Sequence, residues 1–442
     1  MFTSFKRLQI GFAAGIITLG IATTASYGAG FAIIEQSVKG MGNAYSGGST
    51  ASDDASCIFF NPAGMSLTGK TEVDVGASAI IPHFSYNDDN SSYPRLGMPL
   101  SGGDGGDAGT VALVPNLYYN QMINEQIAAG IGVNAPFGLA TEYEDGWKGR
   151  YHALRSDVAT ININPSMGFR LTDWLSVGAG LNMEYARAEL TSAVDFGGIL
   201  ASKGIAGARP QMLDGKAEIK GDDWGYGYNA GIMILPTKST VVGLTYRSEV
   251  SFELEGDAKY TVPAQARGLQ SMGVFVDTDV KADLTLPETV SFGVAQKLSS
   301  NVTLKADILW TRWSRFEELR VRYDSNQPDS VTEEDWKDVF RYALGLDYAY
   351  NQQWTFRIGT AYDESPIKDS QHRTPRIPDA NRIWASCGAS YQATENIAID
   401  AGYTHLFFNN SDVDNVGPTG DQIKGSFEGE ANLISLQLCY NF

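Results

Sequence analysis

The sequence predicts an all-β protein: a 14-stranded antiparallel transmembrane β-barrel with an N-terminal hatch (plug) of short helices. Three observations carry this reading. The first residues form an export leader. From residue 71 onward, apolar and polar residues alternate with a period of two. The connectors between these stretches are short and long in turn.

The leader is read from charge and length. Lys6 and Arg7 precede the mostly apolar run Leu8 to Ala22, and the small residues Ala25, Ser26 and Gly28 follow. That order marks a secretory signal peptide. The apolar run is shorter than the about 20 residues a spanning helix needs. The expected signal peptide is 1–28, with cleavage after Gly28 or a few residues before it.

Composition narrows the class of the remainder. Of 442 residues 48 are Gly, 21 Tyr and 20 Phe, and only 19% are charged. That mixture suits many strands facing two environments. A formal charge of −18 argues against nucleic acid as a partner. Four histidines and three cysteines, without CxxC or HExxH, give no reason to expect a metal site or a cofactor. Cys387 and Cys439 fall on opposite faces of their strands, so no bridge between them is expected.

The alternation is clearest at the C-terminus. In 431-ANLISLQLCYNF-442, Ile434, Leu436, Leu438, Tyr440 and Phe442 share one face. In 340-FRYALGLDYAY-350, Phe340, Tyr342, Leu344, Leu346, Tyr348 and Tyr350 oppose Arg341 and Asp347. In 241-VVGLTYRSEVSFEL-254, Leu244 and Tyr246 oppose Thr245, Arg247 and Glu249. A soluble sandwich would also alternate. Aromatic residues near the ends of the apolar faces, and charges of both signs with small residues opposite them, favour a membrane barrel. Strands are expected near 71–84, 110–122, 126–143, 157–171, 173–190, 222–236, 239–257, 281–298, 301–321, 339–351, 353–363, 381–393, 395–409 and 425–442.

An even strand number puts both ends of the wall on the periplasmic side. Connectors such as 123-INE-125 and 236-PTK-238 are periplasmic turns; 85–109, 191–221, 258–280, 322–338, 364–380 and 410–424 are outer loops. The first outer loop is acidic and glycine-rich and reads as mobile and solvated, facing lipopolysaccharide. The terminal aromatic strand ending at Phe442 is the expected handle for the barrel assembly machinery. The location implied is the outer membrane of a Gram-negative cell, crossed many times.

A barrel this wide holds either water or a plug. Residues 29–70 lack strand periodicity yet carry Ile33, Ile34, Val38, Met41, Ile58, Phe59, Phe60 and Met65. They are expected to form the hatch, with Ser52 capping a short helix over 53–59 that Asn61-Pro62 stops. The barrel wall is then 71–442. In the third strand, Pro136 lacks an N–H for the ladder and Gly138 weakens it further, so an interruption is expected at 134-NAPFGLA-140.

Several segments, in order, resemble the FadL-type family of outer-membrane long-chain fatty acid transporters. They include 29-AGFAIIEQSVKGMGNAYSGGSTASDDAS-56, 61-NPAG-64, 137-FGLATEY-143, 245-TYRSEVSFELEG-256, 309-LWTRWSRFEEL-319 and 377-IPDANRIWASCG-388. The resemblance covers nearly the whole chain after the leader. It implies a plugged 14-stranded barrel that passes a hydrophobic ligand through an apolar pocket and out sideways, without an energy source. It implies a hatch pocket at Phe31, Asn61, Pro62 and Ala63, and a lateral gate at Asn134, Pro136, Phe137 and Gly138. It also implies a cationic head-group residue at Arg320; a second family cation is replaced by Ser192. That replacement keeps open the alternative of an uptake channel for aromatic hydrocarbons or xenobiotics. An enzyme is not expected: His83, His152, His372 and His405 lie near strand ends or in loops, without a nucleophile motif. A general porin would carry no apolar segment ahead of its first strand.

Overall fold

The computed structural model describes residues 30–442, so the leader expected at 1–28 lies outside the described residues. The wall consists of β1 (Glu72–Asp88), β2 (Ala112–Met122), β3 (Ile127–Asn134 and Gly138–Glu142), β4 (Arg155–Thr172), β5 (Leu175–Asp195) and β6 (Asp214–Thr237). It continues with β7 (Thr240–Arg247 and Val250–Thr261), β8 (Thr278–Leu286 and Thr289–Lys297) and β9 (Val302–Thr311 and Glu318–Tyr323). It ends with β10 (Val339–Ala349), β11 (Trp354–Asp363), β12 (Arg382–Gln392), β13 (Ile397–Phe408) and β14 (Gln422–Asn441). Every neighbouring pair is antiparallel, and β14 pairs with β1 from Glu72–Asn441 to Asp88–Gly425. The fourteen strands therefore close, which leaves no unpaired edge in the bilayer.

The faces sort as the alternation requires. On β14, Ile434, Leu436, Leu438 and Tyr440 point to the lipid, whereas Leu433, Ser435, Gln437 and Cys439 are buried inside. Cys387 is exposed on the outer face and Cys439 is buried, consistent with opposite faces.

The hatch fills the bore. It contains α1 (Val38–Gly42), α2 (Cys57–Phe60) and 3-10 turns at Gly48–Thr50 and Pro62–Leu67. Asn61 ends α2, and its side chain accepts from the Ala63 N–H (3.1 Å) to cap the next turn. Ser52 is not the cap that was expected. α2 begins later, at Cys57, because the Asp54 carboxylate binds the Ser56 N–H (3.0 Å) and holds 54–56 in its own turn.

Two expectations are corrected by packing. The outer loop 89–111 is anchored: Tyr93, Leu100 and Ala108 are buried, and the Tyr93 hydroxyl donates to Asp195 (2.6 Å). Its few apolar residues, spread among glycines, suffice to dock it. The sequence also reads β7, β8 and β9 as continuous. All three break at one height, at Ser248-Glu249, at Pro287-Glu288 and over 312–317. Periodicity is nearly preserved across these breaks, so it hides them.

Candidate functional site

β3 is interrupted where Pro136 stands. Its lower half, Ile127–Asn134, pairs with β2 only as far as Leu117–Val133. Its upper half, Gly138–Glu142, pairs with β4 and rejoins the segment before β2 at the Gly109–Thr141 bridge, where the Glu142 N–H donates to Ala108 O (3.2 Å). Between Leu117–Val133 and Gly109–Thr141 the β2 and β3 ladders part, leaving a gap in the wall.

The hatch completes the broken strand. The Ile33 N–H donates to Pro136 O (2.7 Å), and the Gly138 N–H donates to Phe31 O (2.9 Å). Gln36 serves the residue before Pro136: its amide nitrogen donates to Ala135 O (2.7 Å), and its oxygen accepts from the Ala135 N–H (3.3 Å). Backbone groups that β2 leaves unpaired are thus satisfied by a segment that is not part of the wall. Asn134 is buried at the lower end, where its side-chain oxygen accepts from Asn162 (3.2 Å).

Behind this junction lies a cavity of about 120 Å³ between hatch and wall. Ile33, Ile34, Phe59 and Phe60 line it from the hatch, Pro136 and Phe137 from β3, and Leu309 and Val339 from the far wall. Two cations reach it. The Arg247 guanidinium lies 4.3 Å from the centre of the Phe59 ring and donates to the Asn182 amide oxygen (2.5 Å) and Phe59 O (2.9 Å). Arg341 donates to Ala44 O (2.9 Å) and sits 4.0 Å from Asp363, which Arg382 already holds at 2.7 Å. Arg247 forms no direct ion pair within 4 Å among the described residues, with buried Glu184 as a more distant carboxyl neighbour.

Above the cavity stands an aromatic box. The Phe31 ring contacts Trp313 (4.8 Å between centroids), Phe316 (5.7 Å), Trp336 (5.9 Å) and Phe137 (6.0 Å). Gly30, at φ 64°, turns the chain into this box and donates its N–H to buried Asp379 (3.1 Å). A Cβ there would lie 2.4 Å from Trp336. In the outer loops, burial pushes the Glu334 carboxyl up to about 8, against the Trp336 N–H that binds it and the nearby Arg376.

The residues expected from sequence divide. Phe31, Asn134, Pro136, Phe137 and Gly138 come together at the gap. Asn61, Pro62 and Ala63 do not line the cavity; they fasten the hatch to β5, β6 and β7. Asn61 donates to Ile232 O (3.3 Å), and Ala63 O accepts from Ser176 (2.7 Å). The cap they form draws them to the wall. Arg320 lies on an outward-facing strand, held by Glu318 (2.7 Å) and Asp329 (3.3 Å), away from the cavity. Ser192 pairs with Ala217 in the upper part of β5, also outside the lining. Sequence reasoning missed Arg247 and Arg341 as site residues. Their signal was present: each is a cation on the lumen side of an alternating strand.

Comparison with known proteins agrees with this geometry. The family model described as outer membrane protein transport protein (OMPP1/FadL/TodX) matches residues 19–442. The chain is 32% identical over 405 residues to the long-chain fatty acid transport protein of Escherichia coli O6:H1, covering 88% of this chain and 89% of that one. It superposes on the crystal structure of a Pseudomonas aeruginosa FadL homologue with a TM-score of 0.87, at 26% identity, covering 94% of this chain and 100% of that one. The toluene transporter TodX of P. putida shares the fold, with a TM-score of 0.68 at 18% identity over 88% of this chain and 94% of that one. A plugged and closed barrel, an interrupted β3 and a match along nearly the whole sequence make this chain an outer-membrane protein of the OMPP1/FadL/TodX transport family.

Proposed function

We propose that this protein carries long-chain fatty acids, or neutral compounds of similar hydrophobicity, into the cell by energy-independent diffusion. The ligand occupies the apolar cavity and leaves sideways between β2 and β3. One observation carries the reading: hatch backbone replaces wall backbone at Pro136–Gly138, so moving the hatch reshapes the cavity and unseals the gap together. Burial of each CH₂ is worth about 0.8 kcal/mol, so about fifteen methylenes gain at most about 12 kcal/mol. Capture is therefore easy, and release needs such a movement.

Arg247, rather than Arg320, is the head-group residue in this reading. Truncating it removes charge-assisted bonds to a carboxylate, each worth about 1.5–3 kcal/mol. Arg247→Ala should therefore lower fatty acid uptake roughly tenfold in cells lacking their own transporter, while uptake of an uncharged alkane stays level and Arg320→Ala changes neither. Equal losses of both ligands would reject the assignment. The aromatic box around Phe31 favours a second reading, uptake of monoaromatic hydrocarbons, which the same assay tests with toluene. The proposed partners outside the ligand are lipopolysaccharide around the loops and the barrel assembly machinery at Phe442, whose ring is 71% exposed. The proposed division of the chain is a signal peptide at 1–28, a hatch at 29–70 and the wall at 71–442.

A further inference from the structure

The wall has a second discontinuity, opposite the first. The ladder between β8 and β9 runs up to Thr289–Thr311 and adds one bond, from the Arg312 N–H to Glu288 O (3.0 Å). It resumes only at Ala282–Val321. Between these points the chain of β9 leaves the wall and turns inward as a 3-10 turn at Trp313–Arg315. Trp313 and Phe316 are thereby delivered to the Phe31 ring, so the hatch aromatic is clasped between two wall breaks. The partner strand yields at the same height: β7 and β8 pair at Arg247–Thr289 and next at Val250–Leu286, skipping two residues on each.

What closes this second break is charge rather than ladder. Glu288 accepts from Arg312 (2.8 Å) and Arg315 (3.1 Å), and Arg315 also reaches Glu249 (2.8 Å). Glu288 is 8% exposed, whereas Arg312 and Arg315 are 43% and 37% exposed. The latch lies near the Tyr228–Tyr246 pair (5.8 Å), and Tyr228 is exposed to the lipid side, so it stands at the aromatic belt of the outer leaflet. Directly inside its lower edge, Thr289, Thr311 and Val339 line the cavity.

We propose that the β8–β9 break is a second port, an inlet that admits anionic amphiphiles from the outer-leaflet surface into the cavity. The carboxylate of a chain lying in that surface meets Arg312 and Arg315, replaces Glu288 and Glu249 as their partner, and opens the latch while its tail slides in beneath Trp313. The ligand then crosses the lumen from the β8–β9 inlet to the β2–β3 outlet. A neutral hydrocarbon has no group to exchange with the latch and uses the loops. This inlet rests on the transport reading above.

The test is a redox-controlled bolt. Glu288 and Arg312 face each other next to the Thr289–Thr311 pair, at a separation that antiparallel neighbours give and a disulfide accepts. The double variant Glu288→Cys/Arg312→Cys, made with Cys387→Ser, is expressed in cells without their own transporter, and labelled oleate uptake is measured oxidised and reduced. Uptake by the reduced form, in which Arg315 remains to meet the carboxylate, sets the reference rate; oxidation should lower oleate uptake about tenfold or more from that rate and leave alkane uptake unchanged. Because both states are the same folded protein, misfolding does not imitate this result. Equal oleate uptake in both states overturns the inlet alone. No uptake of either ligand in the reduced variant and in the unmodified chain overturns the transport reading, and the inlet with it.

Discussion

Gly231 on β6 and Gly243 on β7 show how single residues seat the plug. A Cβ at Gly231 would stand 1.9 Å from the Asn61 side-chain oxygen, and one at Gly243 would stand 1.9 Å from Ser49 O. Both would be ordinary lumen positions in an open barrel. Here the hatch lies against bare backbone, so glycine is the residue that fits. Gly231→Val should push the hatch off the wall at a cost of about 1–3 kcal/mol while the barrel stays closed. Cells carrying it should become more sensitive to a small hydrophilic antibiotic; unchanged sensitivity would mean that the hatch does not depend on this contact. The glycines were visible in the sequence, but only as members of a strand pattern. Nothing local marks a glycine that faces a plug.

At the scale of elements, the broken β3 and the hatch segment Phe31–Gln36 act as one unit. Each supplies the other with backbone partners, and Gln36 closes the unit by pairing its side chain with Ala135. Gln36→Leu leaves a partly buried N–H and C=O at Ala135 without partners, a loss of about 1–3 kcal/mol. Amide exchange of residues 135–138 should then rise about tenfold, read by mass spectrometry of the detergent-solubilised protein. Exchange no faster than in the unmodified chain would show that the hatch does not hold the gate. The break in β3 was legible, because proline declares it. The breaks in β7 and β9 were not: Ser248-Glu249 and the 312–317 excursion keep apolar residues near the phase a strand requires. Pro287 in β8 was the available signal, and it stood between two well-patterned halves.

Across the whole molecule, polar bonds pin the hatch low in the bore, and apolar contacts hold it above. Asn43 of the hatch donates to Asp347 (2.9 Å), which Lys305 and Arg357 of the wall also hold (2.8 and 3.6 Å), whereas Lys39–Asp54 (3.4 Å) braces the hatch internally. Ser49 donates to Asp307 of β9 (2.6 Å). The proposed cycle requires these anchors to yield. Ser49→Cys/Asp307→Cys places two thiols where the side chains already touch. Its oxidised form should stop fatty acid uptake, and a reductant should restore it. Full uptake with the bond intact would show that transport proceeds around a fixed hatch.

The sequence by itself determined the closed wall, its strand number, the lipid and lumen faces and the presence of a plug. These follow from a two-residue period and a change of period at residue 71, which are local properties of the chain. Tertiary structure alone decided which cations face the cavity, that Asn61–Ala63 fasten the hatch instead of lining the pocket, and that β8 and β9 part opposite the first gap. Those outcomes depend on which backbone groups find partners far away in the chain, and no short-range pattern records that choice.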